Sequence, residues 1–408
     1  MSKRSPVRGL AAAQLANSLG DGAYYVTSAL YFTGVVGLSP TRIGLALTVA
    51  WAIGAVAGVP LGALADRRGP RGVSVGLALA TAAAVLSFLV IRSYPAFLLA
   101  AVAYAVAQCG LAAARQALLA GLVGPGERTA VLARLQSVLN AGLAVGAGIG
   151  GLALQHDTTG GYLAVFAFDG AGFVICAALL AGLPKAAPVA VPEVREARFA
   201  VMRDRPYAVV TLLNAVLLLR MPLLSLAVPL WIVSRTDAPG WLVSALFVLN
   251  TLGVTAFQVR AARGIDGAGA ATRGLRRAGA MLALSCVVFA VSAQDRLGVW
   301  GASAVLVLAS VFLLVGEMGQ SAGSWQLAFS LAPAHQVGQY QGFFGTGVPL
   351  ARTVGPLVLT ALLVTWGVPG WLLLGAVFLA AGAAFGPATR WARRTRGLTE
   401  ARPAAAAR

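Results

Sequence analysis

Charge is scarce in this 408-residue chain: Asp, Glu, Lys and Arg together make up 11% of it, against roughly 25% in a typical soluble domain. That scarcity excludes a soluble globular fold and leaves no room for a large water-facing catalytic domain. Lysine occurs only at Lys3 and Lys185, and histidine only at His156 and His335, both at the ends of apolar runs where a surface imidazole is expected. No H-E-x-x-H, no paired-aspartate motif and no glycine-rich loop followed by lysine occurs, which argues against metal-dependent catalysis and against a nucleotide-driven motor within the chain. No metal and no cofactor is expected, and the chain is read as a non-enzyme. The three cysteines, Cys109, Cys176 and Cys286, are far apart in apolar surroundings and read as small buried hydrophobes.

What the chain has is apolar length: 59% of its residues are hydrophobic. Apolar segments recur at about residues 10–34, 41–64, 73–92, 96–121, 129–155 and 162–183, and again at 207–233, 240–262, 274–292, 298–330, 337–366 and 370–390. A membrane helix needs about 20 mostly apolar residues, so the expectation is an all-α membrane protein of twelve transmembrane helices in two six-helix bundles. Strands of a membrane barrel would alternate polar and apolar residues, which these runs do not. The domains expected are 1–183 and 207–390, joined by a polar linker 184–206 rich in Pro and charge, with a basic tail 391–408. The basic N-terminus runs straight into the first apolar segment, which reads as an uncleaved first helix.

The formal net charge is +18, and its distribution matters more than its size. Of 31 Lys and Arg, 24 fall on the side shared by both termini and the linker, four on the other side, and three, Arg115, Arg220 and Arg352, inside spans. Positive residues favour cytoplasmic loops, so both termini are expected in the cytoplasm of a cell-membrane protein. The charge is then an orientation signal facing the lipid bilayer, and no nucleic-acid partner is expected. Two six-helix halves around such a linker fit a duplicated transporter with a midplane site.

The loop after the second span reads Gly62-Ala63-Leu64-Ala65-Asp66-Arg67-Arg68-Gly69-Pro70-Arg71. It resembles the G-x-L-A-D-R-x-G-R-R signature of the major facilitator superfamily, and the chain is similar to the twelve-helix drug and metabolite exporters of that family. The resemblance implies a conformational latch of Gly62, Asp66, Arg67, Gly69, Arg71 and Arg128, with Asp66 facing the start of span eleven and Arg128 as its partner. Alone, these residues would read as an ordinary solvated loop. In span five, Gly142, Gly146, Gly150 and Gly151 resemble the family's antiporter pattern, with Ala147 where it has proline; small residues four apart let helices pack closely. The arginine of the family's R-x-x-Q-G motif is absent, since Val106 stands there.

Three acids also fall inside spans, namely Asp21, Asp169 and Glu317. An intramembrane charge costs at least ~2.5–3.5 kcal/mol on insertion scales and needs a partner or a wet cavity. The resemblance implies that spans one, four, seven and ten line a central cavity, which selects Asp21, Arg115, Arg220 and Glu317. A structural ion pair between helices is the competing reading. Asp21 and Glu317 are the proton-coupling candidates, because a carboxylate in an apolar cavity can exchange a proton. Tyr24, Tyr25, Gln108, Arg115, Arg220, Asn250, Gln320 and Trp325 are the substrate-contact candidates, and Asp169 and Arg352 are expected beside the cavity in packing roles. The expected function is proton-coupled efflux of a small organic molecule by a functional monomer, exchanged for protons; alternatives are proton-coupled uptake of a sugar or metabolite and a non-transporting sensor.

Overall fold

The computed structural model describes residues 6–156, 158–185 and 200–396. Every regular element among them is helical. In the first half α1 spans Pro6–Leu30 and continues as a π-helical turn Tyr31–Val35; α2 spans Pro40–Arg68, α3 Pro70–Ser87, α4 Tyr94–Leu122, α5 Arg128–His156 and α6 Thr159–Ala181. In the second half, span seven is α7 (Arg205–Leu218) and α8 (Val228–Arg235), followed by α9 (Leu242–Ala261), α10 (Gly267–Val291) and α11 (Gly298–Leu331). Span eleven is α12 (Val337–Gly345) with α13 (Gly347–Leu359), and α14 spans Val368–Thr395. Among the described residues, nine helices are long and apolar enough to cross a membrane. Counted with α1, the α7–α8 pair and α9, the helical rods number twelve. The expected linker falls mostly on residues 186–199, outside the described residues; Ala200–Arg203 is a 3-10 turn.

Local chemistry sets these boundaries. Ser39 accepts the Arg42 amide and Pro40 opens α2, while Thr158 accepts from the Gly161 amide and Asp204 from the Tyr207 amide. Between α2 and α3, Gly69 takes φ 93°, a left-handed conformation open to glycine, and Pro70 starts the next helix at once. Interruptions inside spans also follow from proline. Pro222 and Pro229 withhold amide donors from span seven, which turns at Leu219–Arg220 and passes through a π-helical stretch Leu223–Ala227. Pro349 does the same at the α12–α13 junction around Thr346. These two breaks depart from the continuous spans expected of the sequence.

The halves repeat one packing scheme. In the first, α1 packs on α5 and α6, α2 on α4, and α3 on α4 and α6; in the second, α7 packs on α13 and α14, α9 on α11, and α10 on α11 and α14. Each half buries its own apolar core. In the first half that core is an aromatic cluster, with Tyr24 against Phe88, Tyr104 and Phe166, and Phe32 against Phe97. The expected glycine stripe of span five is the contact with span one. A Cβ on Gly142, Gly146 or Gly150 would run into Ser18, the Leu19 carbonyl or the Ala23 carbonyl. Gly151 has open space beside it and takes no part in that contact.

Contact between the halves gathers at the end that carries the linker. There α2 packs on α12 and α5 on α9. Gly58 and Gly62, one turn apart on α2, meet Gly338 and Gly342 on α12 so closely that a Cβ on Gly62 would overlap the Gly338 carbonyl, and one on Gly342 the Gly58 carbonyl. From α5, Ser137 donates to the Thr255 carbonyl of α9 at 3.2 Å and Thr129 to Gln326 of α11 at 2.5 Å. Ala133, Ala262 and Ala322 fill the space between them.

Candidate functional site

A cavity of about 620 Å3 lies between the halves, lined from spans one, two, four, five, seven, eight, ten and eleven. Its polar floor in the first half is built around Asp21. The helical repeat brings Asn17, one turn earlier on α1, to the same face, where its amide donates to Asp21 at 3.1 Å. From α4, Tyr104 and Gln108, also one turn apart, donate to Asp21 at 3.3 and 3.5 Å and bond each other at 3.0 Å. Arg115 reaches α1 from the same helix, donating to Asn17 at 3.3 Å and to Gln14. An arginine and an aspartate are thus joined through one amide, all within the first half.

The second half answers with Arg220 and Glu317, paired at 2.8 Å with side-chain exposures of 8% and 23%. Arg220 sits at the break of span seven, which turns its side chain into the cavity. It donates through Nε and Nη2 to Gln320 at 3.0 and 2.9 Å and to Ser321 at 3.2 Å. Gln320 in turn donates to Asn214 at 2.7 Å, and Asn250 from α9 donates to Glu317 at 3.2 Å. One network therefore ties spans seven, eight and ten together. Replacing one such partner in a low-dielectric site strands the other charge, which is costly.

Of the residues expected at the site, Asp21, Tyr25, Gln108, Arg115, Arg220, Asn250, Glu317, Gln320 and Trp325 line this one cavity. Tyr24 does not: it is 5% exposed inside the aromatic core, because its neighbour Tyr25 takes the cavity face and successive helical residues point about 100° apart. Asp169 is fully buried where α6 packs on α1 at Gly20, away from the cavity lining. Arg352, expected in a packing role, instead lines the cavity with its guanidinium 5.9 Å from the Trp51 ring centre. Sequence reasoning passed over Trp51, Gln116, Gln258 and Gln341, which also line it. Amides spaced a turn or so apart within apolar spans were the available signal.

The latch residues are arranged differently from the pairing the resemblance implied. Among the described residues no ion pair joins Asp66 to Arg128. The Asp66 carboxylate accepts the backbone amides of Gly338 and Gln339 at 2.7 and 2.9 Å, capping the N-terminus of α12 from the other half. Arg128 donates to the carbonyls of Val123 and Ala120 at the end of α4 and lies over Phe329. Arg71 holds the Leu183 carbonyl at 2.8 Å, while Arg67 is exposed. A second cluster that sequence reasoning missed flanks the same helix start. There Tyr340 donates to Asp204 at 2.9 Å and Arg396, at the end of α14, pairs with that carboxylate. Among the described residues, no group of three His, Cys, Asp or Glu forms a metal site.

The family model described as Major Facilitator Superfamily matches residues 10–356. No curated protein matches the chain by sequence. A bacterial homologue of the iron transporter ferroportin, solved in an outward-facing state, is similar at 15% identity, covering 95% of this chain and 99% of its own, with a TM-score of 0.74. FucP in its outward conformation gives 14%, 96%, 99% and 0.68. The human organic anion transporter MFSD10 (TETRAN) gives 16%, 94%, 100% and 0.66. At such identities the likeness is one of fold.

Proposed function

The chain belongs to the major facilitator superfamily, and from that premise we propose that it is a proton-coupled secondary transporter of a small organic molecule, working by alternating access in a cell membrane. The observation that carries this reading is the cavity between the halves, floored by two separate networks around Asp21 and around Arg220 and Glu317. A rocking motion that broke the contacts of α2 with α12 and α5 with α9 would expose the same residues to the opposite side. The bias of basic residues toward the linker side supports a cytoplasmic linker and cytoplasmic termini. On that assignment the close contacts are the inner gate and the conformation is outward-facing, as in two of the similar structures.

Asp21 and Glu317 are the proposed coupling groups, and both line the cavity. One proton crossing down a potential supplies about 2.3 kcal/mol per 100 mV, enough to drive a concentration gradient. The test is flux in proteoliposomes under an imposed pH gradient, screened with labelled compounds. Substrate-dependent proton movement is expected. Asp21→Asn and Glu317→Gln should abolish proton-driven flux while membrane insertion stays normal, and unchanged flux in both variants overturns the coupling assignment.

A further inference from the structure

Five formally charged side chains line the cavity: Asp21, Arg115, Arg220, Glu317 and Arg352. Glu317 is held by Arg220 at 2.8 Å. Arg115 places its donors on Gln14 and Asn17, and Asn17 passes the contact on to Asp21. Arg352 is different. It is exposed, and among the described residues it has no carboxylate within ion-pair distance; it hydrogen-bonds the Tyr25 hydroxyl and lies over the face of Trp51. The protein thus supplies three cations and two anions to one low-dielectric space and leaves a positive charge unanswered.

A guanidinium carries five N–H donors, so one that lies over an indole and meets a single phenol oxygen still has donors to offer a carboxylate, sulfonate or phosphonate in two parallel hydrogen bonds. We propose that the transported molecule is an organic anion with one negative group, seated on Arg352 beside Trp51. The proposal rests on the transporter reading above and names its substrate class. The rest of the cavity fits an amphipathic body for that anion. Gln116, Asn250, Gln258 and Gln341 line it, each with one side-chain oxygen or nitrogen buried and without a hydrogen-bond partner. Buried polar atoms of this kind are normally satisfied, and rotation of these amides toward a bound molecule carrying its own donors and acceptors would satisfy them. The cavity volume of about 620 Å3 lies within the range of small-molecule sites, roughly 300–1,000 Å3.

The charge of the substrate also sets the sense of coupling. Asp21 is faced by Asn17, Tyr24 and Tyr25 from its own helix, by Tyr104, Gln108 and Arg115 from α4, by Asp169 from α6, and by Arg352 from α13. An anion on Arg352 cancels the field that this arginine exerts on Asp21, so anion and proton bind cooperatively. Ligands that bind cooperatively cross together, whereas a cation would compete with the proton and be exchanged for it. Proton and substrate therefore move in the same direction, the reverse of the exchange expected from the sequence.

The test reads binding, not flux. Purified full-length protein in detergent is titrated with dansylglycine (anion), dansylamide (neutral) and dansylcadaverine (cation), following energy transfer from tryptophan to the dansyl group. Dansylglycine is expected to bind most tightly and to draw protons from a weakly buffered solution in the wild type but not in Asp21→Asn. Arg352→Gln should weaken its binding about tenfold or more, with dansylamide unchanged, while Arg352→Lys, which keeps the charge, retains an intermediate affinity. Gel filtration of both variants checks that they fold. Equal or tighter binding of the neutral or cationic compound, no binding of dansylglycine, or anion binding unchanged in Arg352→Gln overturns the proposal. Loss of flux in liposomes with anion binding intact would instead count against the transporter reading alone.

Discussion

Glu317 and Arg220 are bound to each other's fate. Truncating Glu317 to Ala would leave a guanidinium between helices with only Gln320 and Ser321 as partners. Because Glu317 is partly open to the cavity, water offsets some of the loss, and about 1–3 kcal/mol of destabilisation is expected. Thermal unfolding of the purified variant measures it, and an unchanged Tm would show that the pair contributes nothing net. At this scale the sequence was informative where chemistry is rare. With so few charges inside apolar spans, Asp21, Arg115, Arg220 and Glu317 stood out, and all four line the cavity. It was uninformative about rotation of a helix around its own axis. Spans that are apolar all round carry no marker of which face meets the cavity, so Tyr24 and Tyr25 were indistinguishable, and Arg352 was assigned to packing.

Helices meet most closely where side chains vanish. The contact between α2 and α12 leaves no room for a Cβ on Gly62, Gly338 or Gly342. Gly62→Val should force the two helices apart and open the linker-side end. In a cysteine-free background, labelling of Ser137→Cys by a water-soluble maleimide should rise, by roughly tenfold for each 1.4 kcal/mol of lost contact energy. Equal labelling with and without the valine would show that the contact does not hold this end closed. Element boundaries were legible because proline, glycine and capping residues punctuate the loops, and the apolar runs end within several residues of the observed helices. The breaks in spans seven and eleven were not, since a membrane helix often carries proline without parting. Here Pro222 and Pro349 each coincide with an interruption.

For the whole molecule, Asp66 is the bond across the halves that a single atom change can weaken. Its carboxylate faces the positive end of α12 as well as two backbone amides. Asp66→Asn removes the charge, worth about 0.3–1 kcal/mol at a helix N-terminus, and one of the two acceptor oxygens, worth about 0.5–1.5 kcal/mol, and should shift the balance of conformations about fourfold or more toward linker-side opening. Spin-label distances between the linker-side ends of α5 and α9 would lengthen in part of the population; an unaltered distribution would mean that the glycine contact alone sets the balance. The twelve rods and their duplicated order were readable in advance, because hydropathy and loop charge are summed over many residues. The latch was readable as a motif and in part as geometry: Asp66 meets the start of span eleven as the resemblance implied, but through backbone amides that no side-chain pattern records rather than through Arg128. The interruptions in spans seven and eleven have one more consequence. Both belong to the second half and both border the cavity, while the first half surrounds its share of the site with an interlocked aromatic core. The two halves therefore meet the cavity unequally: the first lines it with unbroken helices, and the second with two spans whose hydrogen-bond ladders part beside it, at Arg220 and Thr346.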